Sequence, residues 1–247
     1  MSKSLIPNNL VLLHQGEEFL RAKSIGVIQA DAKLLLHLST VEHAMDVLDV
    51  FRQIKTDDED LKVIQVLGMR QFNAFASATK LLLSGYVQTS ALILRDVLET
   101  VFLVDYFRTE RAAIAKWRMA DKATRLKEFK PIKIREALDQ RDGFTGKKRA
   151  EIYELFSELA SHASMQGIAM LRPKGKDAHI GPFFDVTALD AGISEMGRLA
   201  VQAGENMGTF FPVGWPEGNV SLRAFTVIKL RWFAEFYPRI VEKSQEA

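Results

Sequence analysis

The sequence predicts an all-α protein, a single multi-helix bundle of about nine helices with a small β-hairpin inserted near residues 167–186. Three observations carry this. From residue 9 to about 163 the apolar residues recur at helical spacing. Between residues 9 and 163 glycine is sparse and the only proline, Pro131, stands at the start of a run. No Pro/Gly/Ser-rich linker divides the 247 residues, and a chain of that length removes roughly 70–75% of its unfolded surface from water, enough for one full core. The expected domain is therefore 1–247, and one arrangement open to it places helices 9–54 as a peripheral layer on a core bundle at 58–243.

Taken in order, the pattern predicts helices near 9–23, 25–54, 58–84, 87–108, 109–127, 131–140 and 146–163. The run "TDDED" at 56–60 supplies an N-cap and an acidic first turn, which suits the positive end of a helix dipole. Pro131 fits a first helical turn, where its missing N–H costs nothing. Thr145 is placed to cap the helix that follows it. The pattern then shortens: "GIAMLRPKGKDAHIGPFFDV", 167–186, has brief apolar runs on both sides of a Pro-Lys-Gly-Lys turn, hence the hairpin. Helices resume at 188–210 and 219–243, separated by "FFPVGWPEGN", whose Phe211 and Trp215 are expected to plug the bundle end.

Composition excludes several function classes. With no cysteine there are no disulfides, thiolate metal sites or cysteine nucleophiles. A hydrophobic share of 47% with 26% charged residues is that of a globular chain, not a disordered one. No window of 18 uncharged apolar residues is present, and the first residues lack a long apolar core with a cleavage site, so a cytoplasmic protein with no membrane partner is expected. There is no GxGxxG, GxxxxGK[ST] or GxSxG motif, and no nucleotide or other cofactor is expected.

The net charge of +2 hides an asymmetry. Residues 108–149 hold 14 Lys/Arg against 6 Asp/Glu, and the rest of the chain is correspondingly acidic. If 108–127 is one helix, Arg108, Arg111, Arg118, Lys122 and Arg125 form a stripe, extended by Lys127, Lys130 and Lys133. Such a stripe is either a solvated face or a track for a phosphate backbone. It has no interleaved aromatic platform for base stacking.

The most informative stretch is "ALILRDVLETVFLVDYF", 91–107, a helix apolar nearly all round and so expected at the centre of the bundle. Arg95 and Glu99 share a face at i, i+4, whereas Asp96 points elsewhere. A partly buried ion pair is a poor stability device, because desolvation offsets the attraction. Its use is therefore either specificity of the fold or a polar functional site.

A second candidate is His162 in "YELFSELASHAS", on the edge of a core face made by Ile152, Leu155, Phe156, Leu159 and Ala163, one turn after Glu158. Its imidazole titrates close enough to neutrality for proton transfer. Glu158 and His162 alone are two ligands of a metal site that needs more, and "HLSTVEH" at 37–43 puts its histidines about 120° apart on a helix. No metal is expected.

With "LILRDVLETVFLVDYF" and "IYELFSELASHAS" in sequence, residues 60–185 resemble a loosely defined group of bacterial helical proteins of unknown function. In that group an Arg-x-x-x-Glu helix is followed by a Tyr-x-x-x-Ser-x-x-x-x-His helix and a short hairpin. Arg95 with Glu99, and Tyr153 with Ser157 and His162, are the matching positions. The group is distantly similar to the HEPN superfamily, which includes RNA-cleaving toxins, abortive-infection proteins and non-catalytic interaction modules. The superfamily's Arg-polar-x4–6-His signature meets only "RPKGKDAH", Arg172 to His179, where Pro173 follows the arginine, so catalysis is not carried over to that pair.

Three functions follow as expectations. The first is a helical interaction or regulatory module with a protein partner or a second copy of itself as a homodimer. The second is a HEPN-like RNA-binding protein or ribonuclease in which Arg95, Glu99 and His162 converge as catalytic residues and the basic stripe holds nucleic acid. The third is a metal-dependent helical enzyme using Glu99, Glu158 and His162.

Overall fold

The computed structural model describes residues 8–161, 164–173 and 175–238. Helices α1 (Asn8–Ala30), α2 (Ala32–Phe51), α3 (Glu59–Leu83) and α4 (Val87–Thr109) are followed by four short ones, α5 (Ala112–Met119), α6 (Lys122–Glu128), α7 (Pro131–Arg141) and α8 (Lys148–Phe156). A π-helical turn at Ser157–Ser161 precedes α9 (Met165–Ala169), and two long helices, α10 (Val186–Gly208) and α11 (Pro216–Phe236), follow among the described residues. The all-α expectation holds.

The core lies among α2, α3, α4 and α10, with α11 packed on α2 and with α7 and α8 packed on α4. Val47, Leu48 and Phe51 of α2 meet Ile64 and Phe75 of α3, Leu94, Val97 and Leu98 of α4, and Ile193, Leu199 and Met207 of α10 in one apolar cluster. α4 is central, as its all-round apolar sequence requires. The peripheral layer expected at 9–54 is confined to α1: α2 buries eight residues in the core, whereas α1 buries only Ser24 and Ile28. The difference is one of sequence density, because α2 carries apolar residues on most of its surface. Phe211 does plug the bundle end, with its ring 5.2 Å from that of Phe51 and 5.7 Å from that of Trp215.

Aspartates set two helix breaks that apolar spacing does not mark. Asp31 accepts hydrogen bonds from the amides of Lys33 and Leu34, starting α2 seven residues later than the expected start at 25. Asp121 accepts from the Thr124 amide, so the helix expected over 109–127 is two helices, α5 and α6. A side-chain oxygen that satisfies an end amide contributes about 1 kcal/mol, which is enough to choose between continuing and restarting a helix. Asp58 and Pro131 act as expected at the starts of α3 and α7. Thr145 does not cap α8, which begins at Lys148 after a turn closed by the Lys148 amide on the Gly146 carbonyl at 2.8 Å.

The β-hairpin expected at 167–186 is not formed: no strand is present among the described residues. The reason lies in rival partners for each arm. Ser164 Oγ accepts from the Gly167 amide at 2.9 Å and winds the first arm into α9. In the second arm the Phe183 amide donates to the Gly85 carbonyl at 3.2 Å, and its ring is buried. Only the His179 amide reaches across the loop, to the Leu171 carbonyl at 2.9 Å, among the described backbone bonds. Gly85 makes this docking possible: its φ is +89°, and a Cβ there would stand 2.5 Å from the Phe183 carbonyl oxygen.

Ion pairs supplement apolar packing where α7 and α8 meet α4. Asp105 of α4 receives Arg141 through two bonds of 3.0 Å and is also paired with Arg108 at 2.9 Å. Arg149 of α8 pairs with Asp139 at 2.6 Å and with Asp142, which Arg141 also holds. The Arg141 and Arg149 guanidinium groups keep the Asp142 carboxyl well below the usual carboxylate range, at about 2. No helix among the described residues is long and apolar enough to cross a membrane.

Candidate functional site

The strongest polar cluster forms where α4, α7 and α8 converge. Arg95 and Glu99 are paired at 3.1 Å, with side chains 25% and 32% exposed, so the same-face, half-buried pair expected from spacing is present. Arg95 Nη2 donates to the Tyr153 hydroxyl, and its guanidinium carbon lies 4.7 Å from the centre of that ring. Asp96 separates from them and pairs with Arg70 of α3.

A residue that sequence reasoning missed completes the cluster. Arg135 of α7 is 8% exposed, and its guanidinium stands 3.9 Å from the Tyr153 ring centre. Its Nε and Nη1 have no hydrogen-bond partner among the described residues. The signal was in the sequence: Ile134 and Leu138 are the buried side chains of a short helix, and Arg135 sits beside one and three residues before the other.

These groups line two adjoining depressions. A cavity of about 350 Å³ has Glu99, Thr100, Phe102, Trp117, Phe129 and Arg135 in its wall. A groove of about 560 Å³ has Asn73, Ser77 and Arg95 in its wall. Arg70, Asp96 and Glu99 border both. Of the acids at this border, Glu99 is held by Arg95 and Asp96 by Arg70. Neither is paired with Arg135. The Arg135 guanidinium thus lies at the cavity wall with no carboxylate partner among the described residues.

His162, the third expected catalytic residue, lies outside the described residues, so its convergence with Arg95 and Glu99 is not among the observations. Glu158, in the π-helical turn, has its backbone carbonyl bonded by the Ser164 hydroxyl at 2.5 Å. Ile152 and Leu155 are 42% and 54% exposed rather than core, and with Phe156 and Leu159 they border a separate apolar cavity of about 510 Å³. Among the described residues no three His, Asp or Glu side chains are grouped to hold a metal ion.

The five basic residues expected to form one stripe sit on three helices and the turn between two of them. Arg108 pairs with Asp105, and Arg118 pairs with Asp60 of α3 at 3.0 Å. Arg111 donates to the Thr209 carbonyl at 2.9 Å and stacks over Phe210 at 3.7 Å, where burial pushes its guanidinium below the usual range. Lys122 starts α6, and Arg125 lies 5.2 Å from the Trp117 ring. Arg108, Arg111 and Arg118 thus brace the bundle, whereas Lys122 is exposed and Arg125 flanks the cavity wall at Trp117. Comparison with protein-family models, curated proteins and solved structures finds no match for this chain.

Proposed function

We propose that the chain is a helical interaction module whose partner is RNA, held by a phosphate seated on Arg135 in the cleft between α3, α4 and α7. The observation that carries this reading is the buried guanidinium with two unbonded nitrogens, Nε and Nη1. Burying an uncompensated charge costs several kcal/mol, while a desolvated cation–π contact with Tyr153 returns only about 2 kcal/mol. A phosphate would supply the missing counter-charge through charge-assisted hydrogen bonds. RNA is the phosphate source the surroundings favour, since α7 belongs to the segment with the surplus of positive charge, and the likeness to HEPN proteins points the same way. That likeness adds a cleaving version, in which Arg95 helps to hold the phosphate and His162 moves a proton.

The test is fluorescence anisotropy of a short single-stranded RNA with the whole chain, at low salt and then along a salt series. Binding is expected to weaken steeply with salt, by about 0.7 in the log–log slope for each phosphate neutralised. Arg135→Met should abolish it while circular dichroism stays unchanged. Wild-type affinity in Arg135→Met overturns the reading. Incubation of the same RNA decides between its forms: cleavage lost in His162→Ala marks the enzyme, and binding with intact RNA marks the module.

A further inference from the structure

A second cavity, of about 650 Å³, lies between α2, α10 and α11, and none of the residues discussed above as cleft lining belongs to it. One wall is a single stripe of α10: Thr187, Asp190, Ser194 and Arg198 follow one another at spacings of three and four and so share a face. The opposite wall contains His37 of α2, with Trp232 and Phe236 of α11.

His37 is 5% exposed. Trp232 Nε1 donates to its Nδ1 at 2.9 Å, and the Phe236 ring is stacked on the imidazole at 4.0 Å between centres. An imidazole that accepts at Nδ1 carries its proton on Nε2, and a second proton at Nδ1 would face the indole N–H. Burial first, and then Arg198, push the imidazole down to about 4, while Asp190 and Asp31 pull weakly the other way. His37 is therefore a neutral donor across the physiological range, and its Nε2–H has no acceptor among the described residues. Gly197 allows this placement, since a Cβ there would lie 2.5 Å from His37 Nδ1.

The remaining polar groups are of mixed sign. Asp190 and Ser194 make no hydrogen bond or ion pair among the described side chains. Arg198 is paired with Glu195 at 2.7 Å, yet its side chain is 51% exposed. A simple carboxylic acid would meet His37 and Arg198 well but would face Asp190 as a like charge. A simple amine would satisfy Asp190 and leave the His37 N–H without an acceptor.

We propose that this cavity binds a free α-amino acid with an apolar side chain. Its carboxylate accepts from His37 Nε2 and the Ser194 hydroxyl beside Arg198, its ammonium pairs with Asp190, and its side chain lies against Trp232 and Phe236. Isothermal titration of the whole chain with L-leucine, L-methionine and L-phenylalanine tests this, with 3-phenylpropionate and 2-phenylethylamine as controls. At least one amino acid should bind, and each control should bind about tenfold or more weakly than L-phenylalanine, the loss expected when one charge-assisted contact is removed. Asp190→Asn, at an exposed position, should weaken the amino acids by a similar factor without altering the circular dichroism spectrum. No binding of any of the three up to about 10 mM, millimolar affinity being the weak end of specific recognition, overturns the proposal. So does 3-phenylpropionate binding as tightly as L-phenylalanine, or an unchanged affinity in Asp190→Asn.

Discussion

The Arg135 guanidinium faces the Tyr153 ring at 3.9 Å, and Arg95 approaches the same ring at 4.7 Å, so one phenol serves two cations while one carboxylate, Glu99, neutralises only the second. If Arg135 is held for a ligand, its removal should cost the fold little. Arg135→Met keeps the unbranched stem, loses a cation–π contact and relieves a buried charge. Its unfolding free energy in urea should fall by no more than about 1 kcal/mol and can rise, against the 3–5 kcal/mol lost when a structural buried pair is broken.

Asp105 is the contrasting case, a carboxylate with every partner inside the fold. It holds Arg141 through two bonds and Arg108 through a third contact, with only 12% of its side chain exposed. Asp105→Asn leaves Arg108 without its counter-charge and Arg141 with Asp142 alone, and should destabilise the protein by about 3 kcal/mol in the same urea measurement.

Gly85→Ala should be destabilising for two reasons acting at once. Its φ of +89° is left-handed, and its Cβ would stand 2.5 Å from backbone oxygen of Phe183, which is not a flexible neighbour. A loss of about 2 kcal/mol is expected, read as a fall in Tm.

His37 gives a pH dependence with a defined sign. Its pKa in the folded chain is about 4, against 6.5 when unfolded, so the unfolded state binds the extra proton first as pH falls. The stability it contributes is complete above pH 6.5, declines as pH falls towards 4, and is constant below that, a total of roughly 3 kcal/mol. Arg198→Met removes the second cause of the depression and should make this slope shallower in urea midpoints measured between those two pH values.

Much of the fold was legible in the sequence because apolar spacing reports burial directly. α4 was placed at the centre from its residues alone, and the Arg95–Glu99 pair followed from i, i+4 geometry. Helix breaks were less legible: Asp31 and Asp121 sit within uninterrupted apolar periodicity, and an aspartate becomes a cap only when the chain turns back on it. The hairpin failed because Gly85 and Ser164 compete for its amides, and neither contact is local to the proposed strands. Arg135 was overlooked because it lay in a segment read for its surface charge. Its meeting with Tyr153 joins two short helices across a loop, and spacing along one helix does not report on another.

The ion pairs that help hold α7 and α8 against α4 give the molecule two tiers of resistance. Asp142, with its carboxyl at about 2, gives up its share of the tie only as pH falls from 3.8 through that value, below the range in which His37 weakens the side where α2 meets α10 and α11. The flank that carries Arg135 and Tyr153 therefore keeps its ion pairs through the pH range in which the His37 side loses stability. A ligand seated on Arg135 would bridge α7 to α4 beside this tie, so that its binding and the order of the flank would rise and fall together.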